Sequence, residues 1–302
     1  MATEQLFATR TRFFQETAIG NATPAGDVVE PRFNTVTATR ISTYTEEKTT
    51  PFGHKEGRES VLEYFAIQAD LHVGRYFLAF LLQLHLTGGT ALDYRSPEPT
   101  FALQVETENG DLIQFDGLAL ADLQISFVAR GITNLSISLF GLKRTAGVSL
   151  EAVTASHAAD PLPGTDVVVA AKAGALDPFP QASNNADAYS AEIFFRRSLI
   201  PSQFNADGVP TRHDIGPWRI FGEVVLAAGT FPETATADFV DGSAAFFLGE
   251  FGSTLSLFFD DSVRWLSATD PIKADDFRDY RVLFEAEANT AGQILTLTNA
   301  LP

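Results

Sequence analysis

The feature that most constrains this chain is an alternation of apolar and polar residues running from Phe101 to Leu139. Phe101, Leu103 and Val105 interleave with Gln104, Glu106 and Glu108, the period-two pattern of a strand with one buried face. Asn109-Gly110 follows, and both residues tolerate the positive φ of a type I′ hairpin turn. Leu112 to Phe115 returns, Asp116-Gly117 predicts a second turn, and alternation resumes through Leu118–Leu120, Leu123–Phe127 and Ile132–Leu139. The pattern predicts an antiparallel meander. Its last strand places Thr133, Ser136 and Ser138 on or near the face opposite Leu135, Ile137 and Leu139, a polar but uncharged surface.

A chain of 302 residues that is 45% hydrophobic can fill one large core or two ordinary ones. The excess of 38 acidic over 21 basic residues, a formal charge of −17, argues against a surface that grips nucleic acid. There are no cysteines, which excludes disulfides, thiolate metal sites and cysteine nucleophiles. Glu4 stands where a signal peptide would carry positive charge, and no apolar segment follows. The longest apolar run, Tyr76 to Leu86, is about half of the roughly 20 residues that a spanning helix needs, so no membrane span is expected.

Residues 1–34 mix Thr, Gly, Pro and charge with a few aromatics and read as an N-terminal arm. From Asn34 a threonine-rich strand is predicted, and Ser60 to Gln68 reads as strand. Ala69 to Leu86 is the helix candidate of the first half: Val73, Phe77, Phe80, Leu81 and Leu84 recur at helical spacing, Asp70 sits in the first turn, and Gly88-Gly89 follows. Between Thr145 and Ala188 the texture shifts to Ala, Gly, Pro, Asp and Asn, which places a boundary near residue 165, with a first domain over 35–165 and a second over 166–302. After it, strands at Ala191–Arg196 and Trp218–Leu226, a helix candidate at Ala235–Phe251 weakened by Gly242 and Gly249, and strands at Ser253–Phe259, Arg281–Ala286 and Gln293–Thr298 repeat the earlier order about 155 to 165 residues on.

Motifs that carry chemistry are few. Walker, dinucleotide-binding, zincin and nucleophile-elbow patterns are absent. The five histidines are scattered, and His213-Asp214 reads as a solvated loop dipeptide before Trp218 rather than a catalytic pair. Asp260-Asp261, Asp275-Asp276 and Asn205-Ala-Asp-Gly208 read as turns rather than cation sites. The 26 phenylalanines lack the interleaved Lys and Arg of a nucleic-acid platform and read as packing. No catalytic residue, metal ligand or cofactor is assigned, and an enzyme is not expected.

The segments Leu71–Leu82, Thr100–Gly110, Phe115–Leu120, Ile132–Gly141 and Ile294–Pro302 together resemble the tail tube proteins of long-tailed bacteriophages, in the form that carries two tube domains in one polypeptide. The resemblance covers most of the chain and rests on layout. It implies a mainly β fold of two tandem β-sandwich or half-barrel domains, each with one flanking α-helix. It further implies homo-oligomeric rings of three chains with pseudo-six-fold symmetry, stacked into a hollow tube that conducts DNA, in a virion tail assembled in the host cytoplasm. Tape measure and tail terminator proteins would be partners, and an acidic wall would let DNA pass without adhering. On this reading Gln104, Glu106, Glu108, Asp111 and Gln114 are lumen-facing candidates. Phe7, Phe13, Phe14, Thr45, Glu46, Phe52 and His54 are candidates for contacts between rings. The rival reading is a monomeric two-domain β-sandwich that recognises carbohydrate or a receptor, for which Trp218, Trp265 and Tyr280 would have to cluster on one concave sheet.

Overall fold

The computed structural model describes residues 2–49, 55–72, 75–85, 91–93, 98–128, 131–155, 167–173, 188–204, 210–227, 244–250, 256–269, 279–286 and 293–298. In chain order they form β1 (Ala2–Leu6), β2 (Ala8–Ala18), β3 (Asn21–Val29), β4 (Phe33–Thr49), β5 (Lys55–His72), α1 (Arg75–Gln83), β6 (Ala91–Asp93), β7 (Phe101–Thr107), β8 (Leu112–Val128), β9 (Asn134–Gly141) and β10 (Lys143–Ala146). There follow β11 (Val167–Ala173), β12 (Ala188–Arg196), β13 (Leu199–Phe204), β14 (Pro210–Ile215), β15 (Arg219–Ala227), β16 (Ala244–Glu250), β17 (Ser256–Thr269), β18 (Asp279–Ala286) and β19 (Gln293–Thr298). The fold is mainly β, and its named strand pairings are antiparallel.

Strand β8 organises the first half because it belongs to two sheets. Its first part, Leu112–Leu118, pairs with β7 and β10, and β7 continues the short sheet through β2 to β3. Its second part, from Ala119, pairs with β9, which leads through β5 to β4 and β1 in a long sheet. The change of sheet falls at Gly117, whose φ of 64° is left-handed. A Cβ there would stand 2.7 Å from Leu142 Cδ1, so glycine is required on both counts. The two sheets enclose a core in which Phe13 stacks on Phe101 at 4.9 Å and meets Phe77 of α1 edge-on at 5.4 Å, while Phe65 reaches Phe115 across the sandwich. Ile67, Leu71, Ile137 and Leu139 line the same core from the long sheet.

Seven strands of the second half repeat the pairing order of seven in the first. There β12–β15–β18–β17 mirrors β4–β5–β9–β8, and β11–β16–β17–β19 mirrors β2–β7–β8–β10. Even the irregularities coincide. The β8–β9 register shifts between Leu120 and Asp122, and the β17–β18 register shifts between Trp265 and Ser267. Through those bulges Leu139 corresponds to Phe284, Ile67 to Gly222 and Ala38 to Ile193, because each set is joined by the same chain of register partners. A bulge conserved between two copies of a motif acts as a device that sets strand twist, not as an accident.

Several sequence expectations change. The stretch read as an N-terminal arm is built into the sheets as β1, β2 and β3, with Phe13 and Phe14 fully buried. The helix expected over Ala69–Leu86 begins only at Arg75, since Ala69 and Leu71 alternate into the core and pair with Ile137 and Leu135 as the end of β5. Ser60 to Gln68 is strand, within β5. In the second half Ala244–Glu250 of the predicted helix is β16, paired on both edges, and the rest of that segment lies outside the described residues. Glycine at Gly242 and Gly249 had already weakened the helical alternative. At Asn109-Gly110 only Gly110 is left-handed, with φ 81°, and its N–H donates to Thr107 O at 2.9 Å. That is a longer hairpin loop with one left-handed glycine, not type I′, which needs two. Asp116-Gly117 is a bend within a continuous strand, not a turn.

Candidate assembly interface

The two halves meet by strand pairing. β12 adds to the outer edge of the second part of β8, in register from Asp122↔Arg196 to Val128↔Ser190. On one face of this junction Leu123, Ile125 and Phe127 join Ala191, Ile193 and Phe195 in the buried core. On the other face Asp122 receives Arg196, Nε to Oδ1 at 3.4 Å, and Gln124 and Ser126 face Phe194 and Glu192 across the ladder. The ladder supplies main-chain hydrogen bonds and the apolar face supplies the free energy of burial.

A buried polar cluster fastens the second half to the bend of β8. Arg197 lies just after β12, with a side chain 0% exposed. It donates from Nε to Leu120 O at 2.6 Å, and its N–H donates to Ala121 O at 3.0 Å. Its Nη1 pairs with Glu98, and its guanidinium lies 4.2 Å from the ring centroid of Trp218. His213 on β14 donates from Nε2 to Gly117 O at 2.7 Å, so the carbonyl at the bend is held from the second half. From the first half Glu16 accepts from Gly117 N at 2.9 Å and Gly20 N at 3.1 Å. Burial raises the Glu16 pKa, opposed by those amide bonds and Thr100. His85 donates from Nδ1 to Leu81 O at 2.8 Å, and burial, with Arg197 nearby, lowers its pKa to about 3. Burial likewise lowers His213. Both rings are therefore neutral at pH 7. His213, read from sequence as part of a solvated loop, is a buried strand residue, and Asp214 beside it is exposed.

The outward face of the long sheet runs unbroken across the junction. Register places Thr35, Asp70, Ser136, Gln124, Phe194, Phe221 and Glu285 in one row, and Thr37, Gln68, Ser138, Asp122, Arg196 and Arg219 in the next. Ser136 and Ser138 lie on this half-buried polar face as expected, whereas Thr133 is buried. Arg196, Arg219 and Arg281 each meet a carboxylate, from Asp122, Glu285 and Glu223 respectively. Arg196 also lies over the stacked rings of Phe194 and Phe221.

The lumen-facing candidates divide. Gln104 and Gln114 are buried and bonded to each other, Nε2 to Oε1 at 2.7 Å, under the segment at Ser149–Glu151. They present no wall. Glu106 is half-buried beside Arg10, and Glu108 and Asp111 are exposed. These last two share a cleft of about 520 Å³ with Phe7, Glu4 and Arg144. Among the inter-ring candidates Phe7 is 60% exposed, but Phe13 and Phe14 are core residues of their own chain and offer no outward contact. Thr45 and Glu46 lie in β4, which extends with β5 as a ribbon past the part that β9 covers. Phe52 and His54 lie outside the described residues, as do Asn205–Gly208 and Asp275-Asp276. Neither Arg197 nor the β8–β12 junction is legible in the sequence, though the apolar alternation of Ala191–Phe195 marks β12 itself.

One edge contrasts with the junction. In β17 the stretch Ser267–Thr269 pairs with β18, and among the described residues its other edge has no partner. That is the position at which β12 adds to β8. No helix among the described residues is long and apolar enough to cross a membrane. No protein-family model matches the chain, and a search of curated proteins finds no match.

Proposed function

We propose that the protein is a structural virion subunit whose copies join edge to edge into rings, and that the rings stack into a tail tube through which DNA passes. The observation that carries this reading is the duplicated topology with its unequal edges. The second half adds to β8 of the first, and the equivalent edge of β17 carries no partner among the described residues, so the same strand addition can continue there with another copy. Head-to-tail addition of this kind generates closed rings when the rotation per subunit divides a full turn. Three chains, each bringing two equivalent halves, give the pseudo-six-fold ring.

The outward face of the long sheet then lines the lumen. Arg196, Arg219 and Arg281 on it are engaged by carboxylates, while Asp70 and Glu192 add negative charge, so these residues offer phosphate little to bind. The β4–β5 ribbon is the part that reaches toward the next ring, and tape measure and terminator proteins are the partners such a tube requires. No catalytic role is assigned.

Negative-stain electron microscopy of the purified protein across a concentration series, with its mass in solution, tests the reading. Rings or hollow filaments of uniform width are the expected result. A particle of one chain at every concentration overturns it and favours the monomeric binding module.

A further inference from the structure

We infer that the outer edge of β4 at Thr39–Ile41 is the docking surface for Ser267–Thr269 of a second copy, and that β1 is the chain's own strand holding that edge until the second copy displaces it. The inference rests on the ring reading and names the two surfaces that meet. Register correspondence fixes them. In β12, the strand equivalent to β4, one edge pairs with β15 and the other with β8. In β4, one edge pairs with β5 and the other with β1. β1 therefore occupies on β4 the place that β8 occupies on β12.

Carrying the β8–β12 register onto the equivalent strands gives the pairing between copies. Asp122↔Arg196 becomes Ser267 opposite Ile41, Leu123↔Phe195 becomes Ala268 opposite Arg40, and Gln124↔Phe194 becomes Thr269 opposite Thr39. β1 already pairs Ala2 with Arg40 and Thr3 with Thr39. The two occupants compete for the same main-chain groups, so they exclude one another.

The hold of β1 is graded along its length. Leu6, opposite Val36, is buried and anchors the inner end. Thr3, Glu4 and Gln5 are exposed. Glu4 meets Arg144 at 3.2 Å in a solvated pair, an interaction that contributes little to stability. The contested end is thus the weakly held one, and β1 can peel back from Ala2 while Leu6 stays seated. A short strand blunting an exposed edge in the free chain also protects it from indiscriminate pairing.

The chain has no cysteine, so two engineered pairs test the inference cleanly. In Thr39→Cys/Thr269→Cys, oxidation during assembly should yield covalent multiples of the chain on a non-reducing denaturing gel, ending at the ring size. In Thr3→Cys/Thr39→Cys, the parent hydroxyl oxygens lie 3.2 Å apart, within reach of a disulfide. Oxidised, that variant should lose ring formation in the microscope, and reduction should restore it. Rings without the covalent ladder, or undiminished rings from the oxidised clamp, overturn the inference and leave the ring reading standing. A wild-type protein that stays a single chain at every concentration overturns both.

Discussion

Strands β8 and β17 hold equivalent places in the two halves, each pairing one set of strands along its first part and another along its second, with a register shift at the equivalent position, yet their surroundings differ. The second part of β8 is paired on both edges, and its bend is gripped by Glu16 from one side and by Arg197 and His213 from the other. At Ser267–Thr269, β17 has β18 on one edge only, among the described residues. One topology therefore appears once in a closed state and once in an open one. The side chains differ in a compensating way. The row Ala38, Ile67 and Leu139 in the first half is the row Ile193, Gly222 and Phe284 in the second, so bulk lost from the middle strand is regained on the strands at either side. Equal pairing does not require equal residues, provided the volume of each row is conserved.

Breaking that volume exchange should give the largest effects. Ile67 is 0% exposed, and Ile67→Gly, which removes its side chain and loosens the strand, should cost on the order of 4 kcal/mol in urea unfolding. Gly222→Ile should cost on the order of 3 kcal/mol, because a Cβ there would stand 2.2 Å from Glu192 O and 2.8 Å from Phe284 Cε1. Adding Phe284→Leu should return part of that loss but not all, since the backbone contact remains. Full additivity of the two substitutions would show that the halves are not packed as equivalents.

The clamp on β8 comes next. Arg197→Met should destabilise by about 2 to 3 kcal/mol, less than for a fully buried pair because Glu98 is half exposed and can rehydrate. Thermal or urea unfolding followed at Trp218, which Arg197 covers, reports it. A change below about 0.5 kcal/mol, the size typical of a surface substitution, would show that the clamp is dispensable.

Acidity should act through the same cluster. His85 has a folded pKa of about 3 against an ordinary 6.5, so the unfolded chain takes up a proton first and stability falls as pH drops through that window. His213 acts in the same direction. Glu16 and Asp116, whose folded pKa values are raised, act oppositely and favour the folded chain as pH drops through their own range. His85→Gln should therefore flatten the loss of stability as pH falls below about 6.5, where the unfolded imidazole begins to take up its proton. An unchanged pH profile would remove His85 as its source.

The smallest effect is expected at the rim of the junction. Arg196 and Asp122 are both about half exposed, and Asp122→Asn should change stability by less than about 1 kcal/mol. A larger loss would mean that the ion pair, and not the apolar face alone, carries the junction.

The alternation from Phe101 to Leu139 was readable because each strand there has one apolar set facing the core. What alternation cannot report is what covers the second face. Gln104 looked like a wall residue, but the segment at Ser149–Glu151 crosses it and takes both ends of its amide. β2 was hidden for a related reason: Thr11, Arg12 and Glu16 are buried among hydrogen-bond partners, so the strand carries polar residues inward and reads as a lead-in. The phenylalanine-rich Ala244–Glu250 has no period that separates helix from strand, and pairing on both edges decided it. The order of repeated elements was visible, whereas the choice of β12 as the neighbour of β8 was not, because partner choice is settled by non-local packing.

The β8–β12 pairing lies within one polypeptide, and this sets how an assembly built on it responds to dilution. A contact between segments of one chain forms at an effective concentration fixed by the connecting residues, independent of how much protein is present. In a ring, every second seam would therefore be insensitive to dilution, and mass action would govern only the seams between chains. Such a ring would come apart into whole chains, and never into single halves.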